Sequence, residues 1–331
     1  MRYSISDVHA LCTEAFTACK VTSAQAGPTI DALILAEAQG LASHGISRVP
    51  MYLAHVTHGR VNPNAVPVIQ QQSASAALIN ADNGFAFPAC NQAIKLAIQK
   101  ASETGIAVGA VTNSHHFGVA GNHLRAIADA GLVGWAMGNS PAAMPAWGGK
   151  RAIFGTNPIA AIFPRTNADP ILVDLSLSEV ARGKIMVAAK NGTPIPQGWA
   201  LDAQGNPTTD AKAALAGMML PMGGVKGAML AMVVEIMVTA LTGAQFGAEA
   251  DSFFVDAGNQ PRLGQLFLVI NPDALAGRLA YESRLSDLID VVLQDPDVRL
   301  PGTRRFALAE EAMREGLELP DALVEQIRKL A

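Results

Sequence analysis

The chain has 331 residues, half of them hydrophobic and only 16% charged, with a mean hydropathy of +0.25. This composition excludes a largely disordered protein and provides enough chain for one large or two moderate domains. The net charge of −4 comes without any block of like charge, so neither nucleic acid nor an anionic membrane is an expected partner.

Membrane insertion and export are not expected either. The most apolar stretch, 228–241, carries Glu235 and falls short of the roughly 20 residues that a bilayer span needs. Asp7 and Glu14 interrupt the N-terminal segment where a signal peptide has an unbroken apolar run. We therefore predict a cytoplasmic location. Three cysteines without a CxxC spacing predict neither a disulfide framework nor a thiolate zinc site.

Helix and strand patterns alternate along the first part of the chain. Thr22 and Gln25 have the spacing of a capping box, and the helix that they begin is predicted to end at Gly40. A second helix is predicted over 47–57. A third ends near Gly105 and is followed by the apolar run IAVGAVT, which is typical of a strand buried on both faces. This alternation predicts an α/β protein.

The same alternation continues toward the C-terminus. A short helix over 121–130 precedes the strand LVGWAM, and a Gly/Pro-rich loop over 139–158 follows, of a length that is usually functional. The strands ILVDLS and QLFLVI, a helix over 178–190 and a charged helical tail complete the pattern. The helix GAMLAMVVEIMVTAL is apolar on nearly all sides and is predicted to lie in the core.

Glycine patterns exclude one common type of nucleotide site. No Gly-x-Gly occurs, so the fingerprint of a standard Rossmann domain is missing. The nearest glycine-rich element, PMGGVKG at 221–227, places Lys226 before the long apolar helix. This element either binds an anion at the helix N-terminus or is simply a tight loop.

The segment LASHGISR contains the first pair of residues with a chemical use. His44 and Arg48 are four residues apart, and they share a face if a helix begins at or just before His44. A histidine holds or releases a proton near neutral pH, and a guanidinium pairs with a carboxylate through two hydrogen bonds. The pattern is compatible with a site for a small 2-substituted acid, although a solvated helix face has the same residue types.

Two further groups of polar residues follow predicted strands. The segment NSHHFGVAG at 113–121 follows a buried strand, at the edge where ligands of open α/β sheets gather. A metal would need a third ligand, and neither H-E-x-x-H nor H-x-x-E-H occurs, so we predict no metal. The segments FGTNPIA at 154–160 and VDLS at 173–176 carry small polar side chains that suit phosphate or ribose oxygens.

Together these segments resemble the malate/L-lactate dehydrogenase family, which also includes sulfolactate dehydrogenases and reductases of cyclic imine carboxylates. The resemblance extends through almost the whole chain and is carried by SHGISRVPMY, NSHHFGVAG, GNSPAAMPAWGGK, FGTNPIA, VDLSLSEVARGKI, IPQGWALDAQGNPTTD, GGVKG and LPGTRR. It implies a non-Rossmann NAD(P)-binding domain over 119–296. It also implies a helical and mixed substrate and dimerisation region, built from both chain ends over 1–118 and 297–331, and a homodimer.

The resemblance also implies roles for individual residues. His44 resembles the general acid and Ser43 its supporting hydroxyl, whereas some relatives use the histidine equivalent to His116. We favour His44, because Arg48 resembles the anchor of the substrate carboxylate and holds C2 of the substrate within reach of His44. Thr156 resembles a further substrate contact. The implied contacts with NAD(P)H, with NADP favoured by family analogy, are His116, Phe117, Gly118, Val119, Ala120, Ser140, Asp174, Leu175, Ser176, Lys226, Pro301, Gly302, Arg304 and Arg305.

The predicted reaction is hydride transfer between NAD(P)H and C2 of a small 2-oxo acid of the malate, lactate or sulfolactate type, with a histidine as proton donor. The alternative is reduction of a cyclic imine carboxylate. Gly118 and Lys184 count against that alternative, because imine-reducing relatives tend to have alanine and aspartate there. A second anionic group on the substrate would need a second cation, for which Lys184 or Lys150 is a candidate. A cofactor-binding protein without turnover and a histidine-based metal hydrolase are the remaining alternatives.

Overall fold

The computed structural model describes residues 1–331 as a mixed α/β fold around one seven-stranded sheet. The helices are α1 (Ile5–Ala18), α2 (Ser23–Ala38), α3 (Val49–Thr57), α4 (Ala86–Thr104), α5 (Arg125–Asp129), α6 (Arg182–Asn191), α7 (Ala211–Ala216), α8 (Val225–Thr239), α9 (Arg278–Val292), α10 (Thr303–Glu315) and α11 (Asp321–Arg328). The strands are β1 (Arg2–Tyr3), β2 (Val68–Gln72), β3 (Ala76–Asn80), β4 (Ile106–Ser114), β5 (Val133–Gly138), β6 (Met144–Pro145), β7 (Ala152–Phe154), β8 (Ile159–Arg165), β9 (Ala168–Leu175), β10 (Ala200–Leu201), β11 (Pro207–Thr208), β12 (Met218–Met219), β13 (Leu263–Ile270) and β14 (Leu317–Glu318).

The strand order in the central sheet is β2-β3-β4-β13-β5-β8-β9. β3 and β4 are parallel, whereas every other neighbouring pair is antiparallel. β3, β4, β5 and β9 therefore run in one direction, and their carboxyl ends lie at the same edge of the sheet. The short strands form three small sheets, β1-β14, β11-β10-β12 and β6-β7.

Helices cover both faces of this sheet. Successive residues of β13 point to opposite faces, so Phe267 packs in the core that contains α4 and α5, and Leu266 packs in the core that contains α8. α4 lies directly on β4. The two elements are so close that a side chain at Gly109 would collide with the backbone carbonyl of Ala93. The apolar runs that predict the strands are therefore buried between two helical layers.

The two ends of the chain build a helical unit beside the sheet. α1, α2, α3, α10 and α11 enclose a core that includes Phe16, Leu33 and Val324. β1 pairs with β14, which joins the N-terminus to the C-terminal region. The predicted α/β fold with a helical part from both chain ends is thus confirmed. The sheet takes strands from both sides of residue 118, and the domain division predicted there stays a prediction.

The start of α2 is predicted correctly, but the capping box does not form. Thr22 is the N-cap residue and makes no side-chain capping bond. Gln25 is fully buried, and its amide instead accepts from the backbone N–H of Phe85 and donates to the carbonyl of Ala65. A buried amide must satisfy its own hydrogen bonds, so this one fixes neighbouring segments rather than the helix end.

The helix predicted over 47–57 begins later, at Val49. Two 3-10 turns, Ala42–His44 and Ile46–Arg48, precede it, and Gly45 between them is non-helical, with φ −95° and ψ −143°. His44 and Arg48 therefore do not share a face of one helix, and that part of the prediction is wrong. They lie instead at the ends of two successive turns.

The long apolar helix, α8, is only half in the core. Ala231, Val234 and Val238 face the sheet, but the opposite face is open, so the prediction of a core helix is wrong for that face. The exposed side chains there are Met229, Leu230, Met232, Val233 and Ile236. None of the helices combines the length and the apolar character that crossing a membrane requires.

Candidate functional site

The carboxyl edge of the central sheet collects the polar segments that the sequence analysis singles out. His116 follows β4, Ser140 follows β5, and Asp174 lies at the end of β9. Thr156 precedes β8, which runs in the opposite direction and therefore begins at this edge. The rule that ligands gather at the carboxyl ends of strands identifies this edge even though the sheet is mixed.

His44 and His116 lie together at this edge. Their ring centroids are 5.5 Å apart, and both side chains are half-buried. His44 ends the first 3-10 turn, and its Nδ1 lies 3.0 Å from Oγ of Ser43. The two histidines that the sequence analysis treats as alternative proton donors thus belong to one site.

Arg48 lies beside the histidine pair and has no acidic partner. Its Nε donates to the backbone carbonyl of Ser43 at 2.6 Å, and its Nη1 lies 3.4 Å from Sδ of Met51. No ion pair of the chain includes Arg48. Its guanidinium therefore retains charge and hydrogen-bonding capacity for an external anion such as a carboxylate.

Burial controls the protonation of the histidine pair. Loss of solvation lowers the pKa of His44 to about 4, and the charge of Arg48 contributes in the same direction. Burial also lowers the pKa of His116 well below its ordinary value, with the charge of Arg48 again the second cause. Both rings are therefore neutral at pH 7 in the free protein, and each has one donor and one acceptor nitrogen.

Tyr52 is a site residue that the sequence analysis missed. Its side chain is fully buried, and its hydroxyl lies 2.7 Å from Nδ1 of His116. Tyr52 follows Arg48 by four residues, which places it one turn further along α3. That spacing is the signal from which the sequence could have identified it.

The loop between α8 and β13 covers the site with two aromatic residues, Phe253 and Phe254, which no sequence pattern predicts. The ring of Phe253 lies 5.2 Å from the ring of His116 and 5.0 Å from that of His115. Arg60 is fully buried and holds this loop through its guanidinium. It donates to the backbone carbonyls of Asp251, Ser252, Val255 and Asn259.

A buried carboxylate fixes the loops that carry Ser140 and Thr156. Glu235 accepts from the side-chain amide of Asn139 at 3.2 Å and from that of Asn157 at 2.7 Å. Oγ of Ser140 in turn accepts from the backbone N–H of Thr156 at 3.2 Å. Burial raises the pKa of Glu235, and its amide partners oppose that shift. The apolar helix α8 thus contributes a polar anchor for the site through its one carboxylate.

A cavity of about 290 Å³ lies between the end of α2 and the segment LPGTRR. Arg305 donates to Oδ2 of Asp174 at 2.6 Å, and the same oxygen accepts from the backbone N–H of Gly121 at 3.1 Å. Oε1 of Gln39 is buried at this cavity without a hydrogen-bond partner. Three arginines and a helix N-terminus fit the phosphates of a dinucleotide. The residues that line this cavity include Gln39, Arg299, Pro301, Gly302, Arg304 and Arg305.

The segment that follows His116 supports the same edge. Phe117 is buried and stacks on His123, with ring centroids 5.2 Å apart. Gly118 adopts φ +70°, and a side chain there would also approach the ring of Phe87. Val119 and Ala120 lead from this glycine into a 3-10 turn.

Some predicted residues make no contact with the histidine pair. Lys226 is exposed on the first turn of α8, and no hydrogen bond or ion pair joins it to either histidine. Leu175 and Ser176 lie past Asp174, where Oγ of Ser176 is 3.2 Å from Oγ of Ser178. No group of three or more His, Cys, Asp or Glu side chains is arranged to hold a metal ion.

Comparison with known proteins identifies the family of the chain. A family model described as malate/L-lactate dehydrogenase matches residues 3–328. The chain is 46% identical over 328 residues to a (2R)-3-sulfolactate dehydrogenase (NADP(+)) of Chromohalobacter salexigens, covering 99% of this chain and 97% of that one. It is 38% identical over 297 residues to a Delta(1)-pyrroline-2-carboxylate/Delta(1)-piperideine-2-carboxylate reductase of Pseudomonas syringae pv. tomato, covering 89% and 86%.

A solved structure shows the same fold. The delta1-piperideine-2-carboxylate reductase of Pseudomonas syringae superposes with a TM-score of 0.93 at 34% identity, and 100% of each chain is covered. These matches span nearly the full length of the chain, as the sequence resemblance predicts. The chain therefore belongs to the malate/L-lactate dehydrogenase family and is an NAD(P)-dependent oxidoreductase.

Proposed function

We propose that this protein interconverts a small 2-oxo acid and the corresponding 2-hydroxy acid. The observation that carries the proposal is the placement of Arg48, a cation without an acidic partner, beside the facing rings of His44 and His116. A carboxylate bound to the guanidinium brings the neighbouring C2 oxygen of a 2-oxo or 2-hydroxy acid close to the histidines. The sulfolactate dehydrogenase relative supports a substrate of this type.

His44 is assigned the proton transfer in this proposal. Its pKa of about 4 makes it a neutral acceptor, which suits removal of the hydroxyl proton in the oxidative direction. A substrate carboxylate that neutralises the charge of Arg48 removes one cause of that low pKa. Substrate binding therefore raises the pKa of His44 and helps it to carry a proton to the C2 oxygen in the reductive direction.

His116 is assigned an orienting role. Tyr52 fixes the ring through Nδ1, and the adjacent ring of Phe253 restricts the access of water to it. NAD(P)H, when bound, supplies the hydride for C2. Variants test the division of roles: His44→Gln should reduce kcat more than His116→Gln, and the reverse order would transfer the proton role to His116.

NADP is the favoured cofactor, and the cavity at LPGTRR is its proposed phosphate site. Arg299 and Arg304 line the cavity without acidic partners, whereas Arg305 is paired with Asp174. The relative from Chromohalobacter salexigens carries NADP(+) in its name, which supports this preference. Ser140, Thr156 and the segment from Phe117 to Ala120 are proposed to complete the cofactor and substrate contacts.

Reduction of a cyclic imine carboxylate is the second candidate, because the Pseudomonas syringae reductase is a close relative. The left-handed backbone at Gly118 opposes it, since the alanine expected in imine-reducing relatives would be strained there. Lys184 is exposed and makes no hydrogen bond to Ser43 or His44, where an aspartate would support the pair.

A homodimer is part of the proposal. The exposed apolar side chains on α8 form a face that a second copy of the chain would cover. The division into 119–296 and the two chain ends is retained as the proposed functional organisation. The cytoplasmic location likewise stays a prediction.

A substrate panel tests the proposed reaction. Consumption of NADPH and NADH is followed by the absorbance of the reduced nicotinamide, with pyruvate, oxaloacetate, sulfopyruvate and 2-oxoglutarate, and with the two cyclic imine carboxylates, as substrates. Turnover confined to oxo acids is the expected result. Turnover mainly of the imines would overturn the proposal and make the second candidate the function.

A further inference from the structure

Two arginines without acidic partners contact one ring at the site. The guanidinium carbon of Arg48 lies 5.7 Å from the centre of the Phe254 ring, and that of Arg182 lies 5.1 Å from the same centre. Neither arginine takes part in an ion pair. The proposed mechanism uses Arg48 and leaves Arg182 without a role.

Arg182 is only partly satisfied by the protein. It is the first residue of α6, is half-buried, and donates from Nη2 to the backbone carbonyl of Leu215 at 2.9 Å. Its Nε is buried without any hydrogen-bond partner. A desolvated cation without a counter-ion or a full set of acceptors is unfavourable in the free protein. An anion bound there would offset that penalty.

The position of Arg182 relates it to the reacting centre. Phe253 contacts the ring of His116, and the next residue, Phe254, contacts both arginines. One short loop thus joins the histidine pair, the proposed carboxylate anchor Arg48 and the second guanidinium. When Arg48 binds the C1 carboxylate of the substrate, the substituent on C3 is the remaining group that a second cation can bind.

We propose that Arg182 binds a second anionic group, a carboxylate or a sulfonate on C3 of the 2-oxo acid, and so determines the specificity of the enzyme for dianionic substrates. The inference rests on the proposed function. It replaces Lys184 and Lys150, since both lysines are exposed and neither makes a hydrogen bond or ion pair within the site. A planar guanidinium also matches either oxyanion through paired N–H donors.

Kinetics of Arg182→Gln provide the first test. The KM for oxaloacetate and for sulfopyruvate should rise by about tenfold or more, because a charge-assisted hydrogen bond is lost, while the KM for pyruvate stays within about twofold. Lys190→Gln, at an exposed position on the same helix, is the matched control and should change none of these KM values. An equal loss on pyruvate and on the dianions would assign Arg182 a structural role and overturn the proposal.

Direct binding separates this inference from the proposed reaction. 3-Sulfopropanoate, succinate and propanoate, in which C2 and C3 have the same spacing as in the proposed substrates, are titrated calorimetrically into the wild type and Arg182→Gln, both saturated with NADP⁺. The wild type should bind the two dianions more tightly than propanoate, and the variant should lose that preference, with Arg182→Lys keeping part of it. This result stands even if the panel shows imine reduction. A wild type without any preference for the dianions overturns the inference, and comparison of 3-sulfopropanoate with succinate identifies the favoured C3 group.

Discussion

The hydroxyl of Tyr52 lies 2.7 Å from Nδ1 of His116 and makes no other hydrogen bond. Burial raises the pKa of Tyr52, so the hydroxyl keeps its proton. A fully buried hydroxyl with one partner directs its proton to that partner, and we therefore assign Tyr52 as the donor and Nδ1 as the acceptor. The hydrogen of neutral His116 then resides on Nε2, where it serves as a donor to a substrate oxygen.

Removal of this hydroxyl should reduce turnover more than binding. In Tyr52→Phe the ring still fills its place in the core, but His116 loses the bond that selects its tautomer. The loss of about 1 kcal/mol corresponds to a decrease in kcat of roughly fivefold, with a smaller change in KM. Steady-state kinetics at pH 7 measure both quantities. Unchanged kcat with a raised KM would contradict the tautomer assignment.

A second prediction concerns the effect of the charge of Arg48 on the pKa of His44. Because the charge of Arg48 helps to lower the pKa of His44, Arg48→Gln should raise that pKa from about 4 toward the ordinary value. The KM for the 2-oxo acid should rise strongly in the same variant, since the carboxylate anchor is lost. NMR titration of the imidazole C2 proton, assigned with His44→Gln, measures the pKa without substrate.

The direction in which the pKa of His44 changes in Arg48→Gln tests this coupling. An unchanged or lower pKa of His44 in Arg48→Gln would mean that burial alone controls the ring. In that case substrate binding at Arg48 would not prepare His44 for proton delivery, and the reductive mechanism would need His116. Arg125→Gln, which removes an exposed arginine paired with Asp129, is a matched control and should leave the titration of His44 unchanged.

The sequence predicts most of the framework because its signals are local. Periodicity and glycine ends identify α2 and α4, and continuous apolar runs identify β4, β5 and β13. The edge of the sheet that carries the site follows from where His116 and Asp174 stand relative to those strands. Family motifs add His44 and Arg48, although the non-helical backbone at Gly45 places them on two separate turns.

The residues that the sequence does not reveal act through long-range contacts. Phe253 and Phe254 reach the site from a loop far along the chain, and the buried Arg60 holds that loop by backbone carbonyls alone. Arg182 lies inside a family motif, but only its shared contact with Phe254 relates it to Arg48. Such relationships depend on packing, which pattern and propensity do not encode.

Two further buried histidines, which pack on the ring of Phe253, should make the fold sensitive to acid. Nδ1 of His55 lies 2.9 Å from Nε2 of His115, and both side chains are buried beside Arg60. Burial lowers the pKa of His55 to about 4 and that of His115 well below its ordinary value. The unfolded chain therefore binds protons that the folded chain does not, and stability falls as the pH drops from 6.5 toward 4.

The expected loss is measurable by urea unfolding. Between pH 7 and pH 5, His55 alone should lower the free energy of unfolding by about 2 kcal/mol. His55→Gln should be less stable than the wild type at pH 7 but should lose less between the two pH values. His9→Gln, at an exposed position on α1, is the control and should keep the wild-type pH dependence. Equal losses in the wild type and His55→Gln would exclude His55 as the source.

A further prediction concerns the exposed apolar face of α8 and the formation of the homodimer. Met229, Val233 and Ile236 are 62%, 51% and 52% exposed and recur at the spacing of one helix face. A charge in the middle of such a face must be desolvated when a second copy covers it, so Val233→Glu should convert a dimer into a monomer of 34.5 kDa. Light scattering after size exclusion measures the mass.

Met313→Glu, at an exposed apolar position on α10, is the matched control and should remain dimeric. A dimer that persists in Val233→Glu would place the contact on another surface, and a monomeric wild type would remove the homodimer from the proposed function.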